Sequence, residues 1–175
     1  MKKQSLLKFL TLFLLSVTTI SCSSESDNDL TQNDANGKIT IKNKTYDLKS
    51  LVYNEFGNTK EFTFFNVPET DINSNEIVKS DYLRVLISYV NDQNIQTGTV
   101  LNVVARCEIS LIDVNKGTVN SEEFLLYDSG GSNPDLLLET SEMTINNLQD
   151  NMVTLNFNFK RADGTTITGN YNGEL

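Results

Sequence analysis

The side chains able to carry chemistry are few. The chain of 175 residues has no histidine and two cysteines, Cys22 and Cys107. Without an imidazole there is no Ser-His-Asp or Cys-His nucleophile, no histidine metal ligand and no switch titrating near neutrality. Two thiols cannot build a four-cysteine zinc site or an iron–sulfur cluster. Carboxylates are what remains. The apolar run Phe124-Leu125-Leu126-Tyr127 leads into Asp128-Ser129-Gly130. Acid proteolysis from such a loop needs two carboxylates sharing one proton, and the chain holds no second Asp-(Ser/Thr)-Gly. Gly131-Ser132-Asn133-Pro134 continues the polar stretch, so a structural turn is expected. Glycoside hydrolysis needs a carboxylate pair about 5 to 9.5 Å apart. With 23 acids some pair will satisfy any such distance; Glu122 and Glu123, adjacent on a strand, point to opposite faces. There is no tryptophan to form a sugar platform. The Ser129–Ser132 loop lacks both the lysine of a phosphate cradle and the G-x-S-x-G spacing of a nucleophile elbow. These absences predict a non-catalytic protein that uses no cofactor.

Binding chemistry stays open. Tyr46, Tyr53, Tyr82, Tyr89, Tyr127 and Tyr171 offer stacking surfaces, and Asn156, Asn158, Asn170 and Asn172 offer amides to a glycan. The plainer expectation for both sets is core and solvated strand face. Asp27, Asn28, Asp29 and Asp34 lack the spacing of a calcium loop, and no metal site is expected. Cys107 falls on an apolar strand, with no neighbour to activate it, and is expected to act as a small hydrophobe.

The N-terminus is an address. Met1 to Lys8 is basic, and Phe9 to Ile20 is an apolar run broken only by Thr and Ser. Such a run, followed by a small residue, is a secretory signal. Twelve helical residues rise about 18 Å, too short for a ~30 Å hydrocarbon core. Thr19-Ile20-Ser21-Cys22 resembles the lipobox of bacterial lipoproteins, although Thr19 stands where that family prefers Leu. The resemblance implies cleavage between Ser21 and Cys22, diacylglycerol on the Cys22 thiol and acylation of the new amino group. Each buried CH₂ contributes about 0.8 kcal/mol, so two or three chains anchor stably.

Residues 22–37 are polar and acidic, with Leu30 the sole large apolar side chain. They are expected to form a tether with a coil dimension of about 20 Å. Glu25, Asp27 and Asp29 close behind Cys22 resemble the surface-export signal of Bacteroidetes-type lipoproteins, and 22 asparagines suit that group. The resemblance implies an outer-membrane location and display at the cell surface. All 23 acids follow Cys22, whereas Lys2, Lys3 and Lys8 are lost with the signal. The mature protein is therefore more acidic than the net −9 of the whole chain. That argues against nucleic-acid partners, which seek basic patches. Attachment to the membrane falls to the lipid.

From residue 38 to 175 the apolar period is two. Val153, Leu155, Phe157 and Phe159 alternate with Thr154, Asn156, Asn158 and Lys160, a half-buried strand. Asp163-Gly164 supplies a hairpin turn, and Gly169 and Gly173 share a face with Ile167 and Tyr171, leaving room for something bulky. Strands are also expected over 38–42, 45–52, 59–66, 82–90, 100–113, 123–127 and 136–145, with a turn at Asn43-Lys44 and a helical turn within 68–81. About nine strands predict an all-β antiparallel two-sheet sandwich; the alternative is a closed calycin-like barrel. The first and last hairpins resemble those of small Bacteroidetes lipoproteins. The sequence thus reads as a signal peptide (1–21), a tether (22–37) and an all-β domain (38–175), an envelope-anchored module binding a protein or glycan partner. A lipocalin-like carrier of a small apolar ligand is the alternative.

Overall fold

The computed structural model describes residues 36–68, 70–71, 79–115 and 118–175. Ser21, Cys22 and nearly all of the tether lie outside them, as does most of the 68–81 segment. Eleven strands follow one another: β1 (Gly37–Ile41), β2 (Lys44–Leu48), β3 (Ser50–Phe56), β4 (Thr59–Phe65), β5 (Lys79–Val90), β6 (Val100–Leu101), β7 (Val104–Asn115), β8 (Thr118–Tyr127), β9 (Leu138–Gln149), β10 (Met152–Arg161) and β11 (Thr166–Glu174). They form two antiparallel sheets, β2-β1-β11-β10-β9-β6 and β3-β4-β5-β7-β8. The sheets do not close on each other, so the fold is the sandwich and not the barrel. Among the described residues no helix is long and apolar enough to cross a membrane.

Eleven strands replace nine for two local reasons. The 45–52 segment breaks at Lys49 because the chain passes there from the edge of one sheet to the edge of the other. The 100–113 segment breaks after Leu101, where β6 pairs with β9 and β7 pairs with β5. The two-residue period of the 100–113 segment expects Val103, Ala105, Cys107, Ile109 and Leu111 inward; an irregularity in the β5–β7 ladder follows Ser88, and Val103 and Ala105 are left exposed. Cys107 and Ile109 are buried as the period predicts, but from there on both faces are covered: Ser110, expected outward, has no exposure, Ile112 and Val114 are buried, and Leu111 is only partly so. The first hairpin turns at Lys42-Asn43, one residue earlier than expected, with Lys42 in the left-handed region (φ 56°). Asp150-Asn151 makes the β9–β10 turn with both φ values positive. Asn and Asp tolerate that conformation better than other non-glycine residues. The all-β body also begins slightly earlier than residue 38. Asn36 exchanges backbone hydrogen bonds with Asn172 at 2.9 and 3.1 Å, and β1 starts at Gly37.

The core lies between the sheets. Leu83, Val85, Ile87 and Tyr89 of β5 face it with no exposure, as do Val153, Leu155 and Phe159 of β10. Aromatic rings join the two layers: Phe64 of β4 meets Phe157 at 5.6 Å and Tyr171 at 5.4 Å between ring centres. Phe157 faces Gly169 across the β10–β11 ladder, and its ring fills the space where a residue-169 side chain would stand. A Cβ there would lie 2.1 Å from the ring and 2.7 Å from the Lys38 carbonyl oxygen. The room left by glycine is therefore taken by the cross-strand aromatic. Two polar ties also cross the core. The Tyr89 and Ser141 hydroxyl oxygens share a buried 2.6 Å hydrogen bond between β5 and β9. Arg161, 4% exposed, donates from Nη1 to the Leu125 carbonyl of the opposite sheet at 3.1 Å.

Two outcomes test this packing. Gly169→Ala should destabilise the fold by about 1–3 kcal/mol or more, because backbone and a packed ring must both shift; denaturant unfolding reads it, and a neutral result would contradict the Phe157 placement. Tyr89→Phe and Ser141→Ala should each cost about 1–3 kcal/mol by orphaning a buried hydroxyl. The double variant should cost less than the two singles combined, a coupling that a double-mutant cycle measures.

Candidate functional site

The inner face of the five-stranded sheet changes character at one end. On neighbouring strands Val85 faces Ile109 and Leu83 faces Leu111, and then Asp81 faces Asp113. On β8 Glu123 lies opposite Leu111, and Ser121 opposite Asp113. The apolar alternation thus runs out into three carboxylates on three adjacent strands. Over them comes the inner face of β2, the edge strand of the other sheet. Tyr46 pairs with Ile39 and Lys44 with Ile41. Because both isoleucines are core residues, the cross-strand pairing turns Tyr46 and Lys44 the same way. The result is a cleft of about 540 Å³ lined by Lys44, Tyr46, Asn66, Asp81, Tyr82, Leu83, Leu111, Ile112, Asp113, Ser121 and Glu123.

The wall is held in place locally. The Asn66 side-chain oxygen accepts from the Leu83 backbone N–H at 2.7 Å, fixing the exit of β4 against β5. Tyr82 packs on Phe65 with ring centres 6.0 Å apart, and burial raises its hydroxyl pKa. Asn120 donates to Asp113 at 3.3 Å. Lys44 places its ammonium 4.7 Å from the centre of the Tyr46 ring, a cation–π contact, instead of on a carboxylate. Among the described residues no ion pair reaches Asp81, Asp113 or Glu123, and no group of three side chains is arranged to hold a metal ion.

The other candidates fall into place around this cleft. Tyr89 and Tyr171 are core residues. Tyr127 is buried, its hydroxyl accepting from the Asn133 N–H at 2.7 Å and donating to the Asn133 carbonyl. Its ring occupies the space a Gly131 side chain would need. The Asp128–Asn133 stretch is therefore a turn wrapped on a tyrosine, with Gly130 at φ 78°. Tyr53 donates to Glu55, which also pairs with the buried Lys60 at 3.0 Å. Burial and then Glu55 push the Tyr53 hydroxyl pKa up, while the Tyr53 and Lys60 contacts lower that of Glu55. Glu122 leaves on the outer face to meet Arg84 at 2.8 Å, while Glu123 faces the cleft. Asn156, Asn158, Asn170 and Asn172 are exposed on β10 and β11. Thr154 donates to Asn172, and the Lys38 N–H donates to Asn170, so part of this amide face is self-satisfied. Cys107 is fully buried, and desolvation raises its thiol pKa, which keeps it in the unreactive protonated form.

Asp163 closes the β10–β11 turn. It accepts the Thr165 backbone N–H at 2.9 Å and the Arg161 guanidinium. The Thr165 bond and the Arg161 contact lower its pKa from the ordinary 3.8 to about 2. A depressed carboxylate pKa stabilises the fold above its unfolded value, and that contribution disappears as pH falls through the folded value. The stability difference between wild type and Asp163→Asn should therefore be largest above about pH 4 and shrink towards pH 2. Chemical denaturation across that range measures it; a difference independent of pH would remove the carboxylate from the account.

Compared with protein-family models, curated proteins and solved structures, the chain matches none.

Proposed function

We propose that the chain is a lipid-anchored lipoprotein of the bacterial outer membrane, its β body a non-catalytic binding module displayed towards the cell exterior. The observation that carries this reading is Thr19-Ile20-Ser21-Cys22 behind a short apolar run and ahead of an acidic segment. A lipobox cysteine in that position takes the lipid; Cys107, the other thiol, is sealed in the core. The absence of histidine leaves the cleft with carboxylates, tyrosines and one lysine, groups suited to recognition. A sandwich with filled space between its sheets gives less support to a lipocalin-like carrier. The cleft at the end of the core is one part of the body with room to receive a partner.

Cys22→Ser tests the anchor. Wild type should incorporate labelled palmitate and fractionate with the outer membrane, and the variant should do neither. Retention of both by the variant would overturn the reading. On intact wild-type cells, added protease should digest the body while a periplasmic control survives; survival of the body there, with digestion after lysis, would place it on the inner side.

A further inference from the structure

We infer that the free edge of β3 docks a second copy of this chain, antiparallel and edge to edge, with Asn54 on the two-fold axis. The two five-stranded sheets then continue as one. This goes beyond the binding-module reading and uses neither the lipid nor the cleft.

An edge strand offers unpaired N–H and C=O groups to any extended chain, and proteins guard such edges. Of the four edges here, three are guarded. β6 is two residues long, and β2 carries Lys44 and Asp47. The β7–β8 ladder steps over Leu125 and again over Asn120, two bulges on β8 that flank Glu122 and Glu123. A copy of β8 paired with itself there would set those carboxylates against each other. β3 instead pairs with β4 from Ser50 to Phe56 without irregularity. Its one charged side chain, Glu55, is already taken by Lys60 at 3.0 Å.

The ladders show which groups are free. The Asn91 N–H donates to the Asn58 carbonyl at 2.8 Å, so Thr59 and Val90 form a non-hydrogen-bonded pair. The backbone groups of Thr59, Glu61, Thr63 and Phe65 therefore turn to β3 and meet those of Phe56, Asn54, Val52 and Ser50. Those of Leu51, Tyr53 and Glu55 point out of the sheet, with no partner among the described residues. Ser50 and Leu51 are buried, which leaves 52–56 accessible, and its midpoint is Asn54. Tyr53 turns its ring inward onto Phe62, with ring centres 4.9 Å apart. Val52, Asn54 and Phe56 accordingly lie on the outer face.

This stretch is complementary to itself, which is the reason the occupant is a second copy. With Asn54 facing its counterpart, Tyr53 exchanges both backbone bonds with Glu55 of the second copy, and Glu55 does so with its Tyr53. On the outer face Phe56, 63% exposed, comes opposite Val52 of the second copy, so each copy covers the other's ring. The two Asn54 amides meet on the axis, where each can donate and accept. No like charges are opposed. Five paired residues span about 17 Å, less than an interface of about 800 Å² per partner requires. The dimer is therefore weak and forms where copies are crowded.

Disulfide trapping with diamide, in intact cells expressing the full-length chain, tests this. A non-hydrogen-bonded antiparallel pair holds its Cα atoms about 4.5 Å apart, within reach of a disulfide. Asn54→Cys should therefore yield a cross-linked dimer. Val52→Cys, which faces Phe56 and not its own counterpart, and Ser121→Cys on β8 should yield far less. Cys107 is sealed in the core and Cys22 is common to all these variants, so the difference reports the introduced thiol. Adding Phe56→Ser should cut trapping at Asn54→Cys roughly tenfold or more, because each ring loses its cover. It should leave the denaturation midpoint of the chain nearly unchanged, because the ring is exposed in the single copy. Absence of trapping at position 54, equal trapping at positions 52, 54 and 121, or trapping unaffected by Phe56→Ser would each overturn the proposal.

Discussion

The structure depends on the contact between one ring and one glycine. Phe157 lies across the place where residue 169 would carry a side chain, and on its other side it meets Phe64 of the facing sheet. A larger residue at 169 would push the ring into the opposite layer. The same contact sets the β10–β11 register, since a slip of one residue would turn Val153, Leu155, Phe157 and Phe159 outward together. Around that register the six-stranded sheet is built outward, with β11 pairing with β1 on one side and β10 with β9 on the other. Without a disulfide among the described residues, aromatic packing and the ladders hold the layers together, with Tyr89–Ser141 and Arg161–Leu125 as polar ties. A buried hydroxyl pair contributes little net stability when satisfied but is costly when broken, so such ties act mainly on specificity of packing.

An open sandwich ends somewhere, and how it ends creates the cleft. In a closed barrel every inner position is enclosed; here the inner face of β5, β7 and β8 runs beyond the packed core. At that end the inner residues change from leucine and isoleucine to Asp81, Asp113 and Glu123. Acids at the rim are compatible with folding because they remain hydrated. Their juxtaposition is unfavourable in itself.

Much of the fold was legible. The two-residue period of Val153–Phe159 and of Leu83–Tyr89, and the Asp163-Gly164 turn, give strands and a hairpin in the places observed. The glycine at 169 announced space for a bulky neighbour, and the neighbour is Phe157. Glu122 and Glu123 do face opposite ways. The errors have local causes. A bulge is an extra residue that periodicity alone does not reveal, and so the period points Val103 and Ala105 inward although both are exposed. Lys49, where the chain changes sheet, carries no breaker residue, so β2 and β3 read as one strand. The two-residue period carries the strand before the Asp150-Asn151 turn only to Ile145, whereas β9 runs on to Gln149 and meets that pair at positive φ.

The candidate cleft divides the two kinds of information most clearly. The sequence by itself determined the chemistry available: no imidazole, an acidic body, an apolar run ending at a lipobox-like Cys22, and strands with one dry and one wet face. Those follow from composition and from spacing along the chain, which local physics reads directly. Only the tertiary structure decided that Tyr46 and Tyr82 share a cleft while Tyr89 and Tyr171 lie in the core. It alone set Asp81 opposite Asp113 and placed Lys44 on an aromatic ring. These residues are tens of positions apart in the chain. They meet through cross-strand register and the packing of one sheet on another, long-range constraints that no local pattern contains.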